Sequence, residues 1–435
     1  MKQIKLGLLG LGTVGGGLVN ILRTSEHDLG RKLGKQLHIE KIAVRDLSKP
    51  RNVDTGAIAL TDDPFSVVND PNVDLVVELM GGTTLARDLV EQAIKNGKHI
   101  VTANKALIAL YGNELFSLAE KHQVQIYFEA SVAGGIPIIK VLREGLAGNQ
   151  IDWLAGIING TGNYILTEMK KPNADFSKVL KDAQDLGYAE ADPTYDVEGI
   201  DAAHKLTILA SMAFGIELSF SRVYTEGISL ITADDVRFAN SFGYEIKHLG
   251  IAARTDEGYS LRVHPTLVPK TVLLADVNGV MNSVLVHGNH VGSTLYYGAG
   301  AGAGATASAV MADIIDLARG WDAPYEMHVP ALGYHADQLE QNPNILNIDQ
   351  IDTAFYLRFL VKDHPGVLAR LSQTLADCDV SIEHLHQDPM PEGDLALVVM
   401  TTNVVRESGL NQAMAVLEGM DDLEGKITKI RVSDF

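Results

Sequence analysis

The first 130 residues alternate between short, nearly continuous apolar runs and longer stretches of helical periodicity. Runs at Ile4–Leu9, His38–Val44, Leu75–Glu78, His99–Thr102 and Gln125–Glu129 predict strands. Apolar positions three and four apart predict helices over Val14–Leu22, Leu85–Asn96 and Asn113–Lys121. Alternation of this kind predicts an α/β fold, a parallel sheet with helices on both faces. "IKLGLLG" and "VDLVVEL" lack a polar side, as strands buried on both faces do. Residues 25–37 read as an insertion after the first helix.

The pattern changes at about residue 150. "WLAGIIN", "YSLRVHPTLVP" and "MNSVLVHGN" read as antiparallel strands, and "IDAAHKLTILASMAF" as a long helix, which together predict a second, α+β domain over 131–299. "YYGAGAGAGATASAVMADIIDLAR" reads as a glycine-alanine loop feeding a helix. Residues 321–350 lack periodicity and read as a linker. Residues 351–435 read as a self-contained unit. Strands in "TAFYLRFLVKD", "VSIEHLHQDP", "LALVVMTTNV" and "ITKIRVSD", with helices in "HPGVLARLSQTLADCD" and "GLNQAMAVLEGM", give the ferredoxin-like order βαββαβ.

Composition narrows the class. A chain of 435 residues that is 46% hydrophobic and 21% charged can bury several cores. Thirty-six basic against 55 acidic residues give a net charge of −19. That balance argues against nucleic acid and anionic membrane as partners, since both need clustered Lys and Arg. Met1-Lys2-Gln3 leads directly into the first strand without a secretory pattern, and no apolar run is long enough to span a bilayer. Cys378 is the single cysteine, so an internal disulfide and a cysteine zinc cluster are excluded. A cytoplasmic protein fits these features.

"GLGTVG" at 10–15 is G-x-G-x-x-G directly between a predicted strand and a predicted helix. Gly10 permits the tight turn, Gly12 lets backbone approach a pyrophosphate, and Gly15 allows close helix–strand packing. Leu11, Thr13 and Val14 complete the loop, and the helix N-terminus offers free N–H groups to phosphate. Gly16 and Gly17 continue the run without a role in the fingerprint, unless another segment, such as the loop at residues 300–306, approaches them. The second strand ends "IAVRD". Arg45 there favours the 2′-phosphate of NADP; Asp46 keeps NAD open.

Asp201 and Lys205 are four apart on an otherwise apolar helix, about 40° apart around its axis. A surface ion pair would use the same spacing. Two charges on a mostly buried helix are costly to desolvate, which favours a functional reading. Just upstream, Glu190, Asp192, Asp196 and Glu198 form an acidic loop suited to an amino group, or merely a solvated one. A lysine can protonate an oxygen that gains hydride, because with a reference pKa of about 10.4 it is charged at neutral pH. Lys105, in "TANKALIA" after a sheet strand, is a second candidate, since ligands bind at the carboxyl ends of such strands.

With "FEASVAGGIPII" at 128–139, "INGTGNYIL" at 158–166, "LGYAEADPTYDVEGIDAAHKLTIL" at 186–209 and "GAGAGATASAV" at 300–310, these pieces resemble the homoserine dehydrogenases that carry a C-terminal ACT domain. The resemblance implies reversible NAD(P)-dependent reduction of L-aspartate 4-semialdehyde to L-homoserine, on the way to threonine and methionine. It implies a Rossmann-type dinucleotide-binding domain over 1–130, rejoined by the helix at about 300–320, and a substrate and dimerisation domain that makes a homodimer or homotetramer. By position, Lys205 looks like the proton donor and acceptor, with Lys105 as a second active-site lysine. Glu190, Asp201, Asp196, Gly187, Asn159 and Thr161 look like substrate-site residues, and Gly302 looks close to the cofactor. A structural monovalent cation, sodium, is implied at Glu129, Val132, Gly134 and Ile136. Residues 351–435 are similar to an ACT module, which implies L-threonine as an effector at the turn Asp363–Gly366, or else an oligomerisation domain without ligand. His384 and His386 read as one partly exposed strand face, and His287 and His290 as loop residues. Two other functions use the same build: another amino-acid oxidoreductase, and a catalytically silent dinucleotide-binding sensor.

Overall fold

The computed structural model describes residues 3–51, 53–172, 174–390, 393–433 and 435. Met1 and Lys2, at the expected entry to the first strand, lie outside them. No helix among the described residues is long and apolar enough to cross a membrane. The chain forms two units. The first takes in Met1–Leu154, His204–Arg222 and Asn282–Pro343, and the second Ala155–Ala203, Val223–Met281 and Asn344–Phe435.

The first unit opens with six strands: β1 (Gln3–Leu9), β2 (Gln36–Ala43), β3 (Ala59–Thr61), β4 (Leu75–Glu78), β5 (His99–Thr102) and β6 (Ile126–Tyr127). All are parallel, in the order β3-β2-β1-β4-β5-β6. This is the Rossmann order, and its reversal between β1 and β4 opens a crevice at the carboxyl ends of the strands. Leu6, Leu8, Leu75 and Val77 are wholly buried, which explains the unbroken apolar runs. The helices are α1 (Thr13–Thr24), α2 (Glu26–Leu33), α3 (Phe65–Val68), α4 (Thr84–Lys95), α5 (Lys105–Lys121) and α6 (Ile138–Lys140). The insertion at 25–37 holds α2, which buries only Leu29 and ends at Gly34 in the left-handed region. The strand expected over Gln125–Glu129 is shorter because Glu129 begins a turn, its N–H donating to Asp313. The helix expected from Asn113 begins at Lys105, where Asn104 caps it by accepting from the Leu107 N–H.

The chain leaves this unit within β7 (Ile151–Ile157), continues through α7 (Gly160–Glu168), α8 (Phe176–Asp185) and α9 (Thr194–Val197), and returns within α10 (Ile200–Phe214). The second unit resumes with β8 (Tyr224–Thr225), α11 (Ala233–Ser241), β9 (Tyr244–Thr255) and β10 (Gly258–Pro269). β9 and β10 form a long antiparallel pair. The first unit then receives β11 (Met281–Gly288), β12 (Gly292–Ala299) and α12 (Ala303–Gly320). α12 packs on α1: Leu18, Ala307, Val310 and Ile314 share one buried cluster. Gly17 makes this approach possible, because a Cβ there would lie 2.6 Å from the Ala303 carbonyl oxygen. At Gly16 the nearest atom would be Val53 Cγ1 at 3.7 Å, an ordinary contact. Gly17→Ala should therefore destabilise the chain by about 1–3 kcal/mol through overpacking, while Gly16→Ala should not. Paired thermal melts check this, and equal melting temperatures would contradict it.

The C-terminal segment runs β13 (Asp352–Lys362), α13 (Val367–Ala376), β14 (Ile382–Pro389), β15 (Leu395–Thr402), β16 (Val405–Arg406), α14 (Glu407–Leu417) and β17 (Leu423–Val432). Apart from the two-residue β16 this is βαββαβ, with strands in the ferredoxin-like order β17-β13-β15-β14. Phe355, Leu357 and Phe359 face α13 and α14, while Tyr356 faces the cluster built on α7, α8 and α11. The segment is thus joined to the second unit. β17 pairs in parallel with β10, and Arg358 binds the wholly buried Asp235 of α11 at 2.6 Å.

Candidate active site

A cleft of about 1230 Å³ lies in the first unit beyond the carboxyl ends of β1 and β4. Gly10, Leu11, Gly12 and Thr13 line it, as do Arg45 and Asp46 at the rim and Ala303 of α12. The local backbone explains why glycine stands at these positions. Gly10 turns at φ +106° against the Leu79 carbonyl, and a Cβ on Gly15 would lie 2.5 Å from the Gly10 oxygen. Around Gly12 a Cβ would meet nothing within 4 Å, so backbone is open to a ligand there. No side chain caps α1 at Gly12 or α12 at Gly302, and neither first turn holds an acid. Both helix ends suit an anion.

Three basic residues that the glycine motif does not reveal, Arg23, Lys49 and Arg51, also line the cleft. Arg51 donates to the Asp46 carbonyl, and its buried Nε meets no acceptor among the described residues. The Asp46 carboxylate is turned into its own loop, accepting from Ser48 Oγ at 2.6 Å and Ser48 N at 2.8 Å. These bonds hold its pKa below the ordinary carboxylate value. The residues present therefore fit a nicotinamide dinucleotide, with Arg45 and Arg51 as cations lining its cleft.

Lys105 is half-buried as the first residue of α5. Its placement rests on a buried polar group. Glu78 ends β4 with no exposure, accepting from Thr102 Oγ1 at 2.7 Å and from the Met80 and Gly81 N–H groups. Burial raises the Glu78 pKa above the ordinary value. Asn104 completes the corner, donating to the Gly82 carbonyl at 2.6 Å.

In the second unit one carboxamide gathers two carboxylates. Asn159 Nδ2 donates to Asp196 at 2.7 Å and to Asp201 at 2.9 Å, while its Oδ1 caps α7 at the Gly162 N–H. Asn159 and Asp201 are 6% and 4% exposed, so this negative charge is concentrated where water screens it little. Thr161 donates to the Tyr188 carbonyl at 2.7 Å, tying down the loop after α8. Gly187 reverses that loop at φ +76°, and the Glu190 side chain is exposed on it. The structure thus gathers Asn159, Asp196 and Asp201 and leaves Gly187 and Glu190 on the loop. The Asp192 carboxylate accepts from the Thr194 N–H at 3.1 Å, in the turn that leads into α9. Lys205 is half-buried one turn beyond Asp201 along α10, in the part of that helix that is counted with the first unit.

The turn at 129–136 is buried and glycine-rich. The Glu129 oxygens accept from Ile139 N at 2.9 Å and Lys140 N at 2.8 Å, and burial pushes the Glu129 pKa up to about 7. Asp313 beside it is also raised, by burial and then by Glu129. Val132 is wholly buried, and Gly134 at φ +49° lies against the Gly300 carbonyl. The Ile136 carbonyl accepts from Ile138 N at 2.8 Å. Each Glu129 oxygen retains acceptor capacity. A hard cation suits such oxygen donors and would offset the crowding of two buried acids. Among the described residues no group of three or more His, Cys, Asp or Glu could hold a metal, so an ion at this turn would depend on backbone carbonyls.

Residues 10–129 match the family model for the NAD-binding domain of homoserine dehydrogenase, residues 137–315 that for homoserine dehydrogenase, and residues 355–421 that for the ACT domain. A homoserine dehydrogenase of Pseudomonas aeruginosa is 53% identical over 437 residues, covering 100% of each chain. The crystal structure of a homoserine dehydrogenase from Thiobacillus denitrificans is 53% identical, with a TM-score of 0.95 over 100% of this chain and 99% of that one. A hyperthermophilic archaeal homoserine dehydrogenase mutant in complex with NADPH is 27% identical, with a TM-score of 0.61 over 72% of this chain and 97% of that one.

Proposed function

The chain belongs to the homoserine dehydrogenase family, an NAD(P)-dependent oxidoreductase, and on that premise we propose how its residues reduce L-aspartate 4-semialdehyde to L-homoserine. The observation that carries the proposal is the Asn159 carboxamide between Asp196 and Asp201, with Lys205 one turn along the same helix as Asp201. The two carboxylates take the substrate ammonium, and Glu190, Gly187 and Thr161 belong to the loop over it. Lys205 donates a proton to the aldehyde oxygen in reduction and takes it back in oxidation. Lys105 is a second lysine at the reacting end. The bound nicotinamide supplies or accepts the hydride. Gly10 to Gly15 and Gly302 receive the phosphates, and Arg45 selects NADP over NAD.

A structural monovalent cation, sodium, is proposed at Glu129, Val132, Gly134 and Ile136, outside the reaction. At the C-terminal module, L-threonine is proposed as effector beside Gly366, which starts α13 at φ +95°. Asp422 there holds Arg370 at 2.5 Å and His364 at 3.0 Å. Assembly as a homodimer or homotetramer and a cytoplasmic location complete the proposal.

NADPH absorbance should fall when L-aspartate 4-semialdehyde is added, and L-threonine should slow the fall. Absence of turnover would overturn the enzymatic reading in favour of a silent sensor. Threonine-insensitive turnover would overturn the effector alone.

A further inference from the structure

β17 meets β10 at two residue pairs, Thr266 with Arg431 and Leu267 with Val432. Arg431 at this seam is 1% exposed, so its charge is removed from bulk solvent. Two acids compensate it. Glu407 of α14 accepts from Nε at 2.8 Å and from Nη2 at 2.5 Å, and Glu226 accepts from Nη1 at 2.7 Å. Tyr224, beneath the guanidinium at 5.0 Å, donates to the same Glu226 oxygen at 2.8 Å. One buried cation thus ties the C-terminal module to the segment 224–228.

That segment abuts the acidic group in two ways. The Ile228 N–H donates to the Val197 carbonyl at 2.9 Å, at the end of the helix that carries Asp196. Gly227 touches the Glu198 carboxylate so closely that a Cβ there would lie 2.2 Å from it. The Glu226 carbonyl also fixes a buried histidine, accepting from His248 Nε2 at 2.9 Å. A Cβ on Gly199, between α9 and α10, would lie 3.1 Å from the His248 ring, and one on Gly162 would lie 3.5 Å from its Nδ1. The ring therefore sits beneath the backbone that carries Asp196 and Asp201 and the turn capped by Asn159.

We propose that Arg431 is a positioning residue for the substrate-binding carboxylates, acting through Glu226 and the backbone of residues 224–228 on Asp196, Asp201 and Asn159. The C-terminal module thereby contributes to substrate affinity in the absence of any effector. A guanidinium is required, since a single ammonium cannot bind Glu407 through two nitrogens while reaching Glu226 with a third. The inference rests on the reading of Asp196 and Asp201 as substrate binders.

The test uses the full chain. Arg431→Lys should raise KM for L-aspartate 4-semialdehyde at least about fivefold while KM for NADPH stays within twofold. Glu226→Gln, which leaves the Arg431–Glu407 pair intact, should raise it in the same direction by less. The two changes together should cost less than the product of the separate effects, because both break one link. Thr232→Ala, which removes the cap of α11 and so lowers stability, is the control and should leave KM unchanged. If Arg431→Lys does not fold, Glu226→Gln alone decides. Unchanged KM in the folded variants, or an equal rise in KM for both substrates, would overturn the proposal. Asp196→Asn is measured in parallel: if it leaves KM for the semialdehyde unchanged, the carboxylate reading itself has failed, whatever Arg431 does.

Discussion

Lys205→Ala should lower kcat for semialdehyde reduction by about 10²–10⁴-fold, the usual contribution of a positioned general acid, with NADPH affinity within twofold of the parent. The helix explains the expected size. α10 buries Ala202, Ala203, Leu206, Ile208 and Leu209, so its two charged side chains are not there for solubility. Asp201 is held by Asn159, which on the proposed reading would set the direction of the ammonium end of the substrate. The aldehyde carbon is two bonds from the carbon that bears that ammonium, so a lysine one helical turn away is suited to its oxygen. Lys205→Arg separates charge from proton donation, since an arginine keeps the charge but is a very poor acid. It should remain as slow as the alanine variant. Recovery of activity in Lys205→Arg would mean that the charge suffices, and a kcat above about one tenth of the parent in Lys205→Ala would place the acid elsewhere. Lys105→Ala, measured beside it, is the first alternative to examine.

The sequence was most legible where burial imposed one pattern. β4, β5 and α10 begin and end where their apolar runs do, because they are buried along their length. β9 was not legible. Its run "YEIKHLGIAART" holds Lys247 and His248 in mid-strand, and both are buried. Each is compensated by a group far along the chain, the Val277 carbonyl for Lys247 and the Glu226 carbonyl for His248. A local pattern cannot reveal partners 30 and 22 residues away. α2 gave a weak signal because only Leu29 is fully buried, with Leu33 partly buried against the same core. At the site, Asp201 and Lys205 stood out as charges on an apolar helix, whereas Asn159 came only from the family resemblance. Arg51 and Lys49 fell in an aperiodic loop and gave no signal until the loop was folded over the cleft. Arg431 reads as one polar position in an alternating strand; its burial follows from β17 pairing with β10.

Replacing Arg45 and Arg51 together by alanine should lower kcat/KM with NADPH by about 10²-fold and change that with NADH by no more than about threefold. A charge-assisted hydrogen bond is worth about 1.5–3 kcal/mol, and exposure reduces it toward the lower end. Arg45 is exposed at the rim, so its contribution alone should be the smaller. Arg51 is half-buried with an Nε that meets no acceptor among the described residues, and a phosphate oxygen would satisfy it. The alternative reading, an acid that accepts from the ribose 2′-hydroxyl, needs the Asp46 carboxylate turned toward the cleft. Ser48 holds it back with two hydrogen bonds, so a preference for NAD would require that loop to be remade. Because one of the cations is exposed, the NADPH preference of the parent should also shrink as ionic strength rises, and that salt dependence should be weaker in the double variant. An unchanged NADPH/NADH ratio in the double variant would remove both arginines as the discriminator. Lys49 would then be the remaining cation on that loop, its stem able to carry a point charge to the phosphate without the two-pronged geometry of a guanidinium.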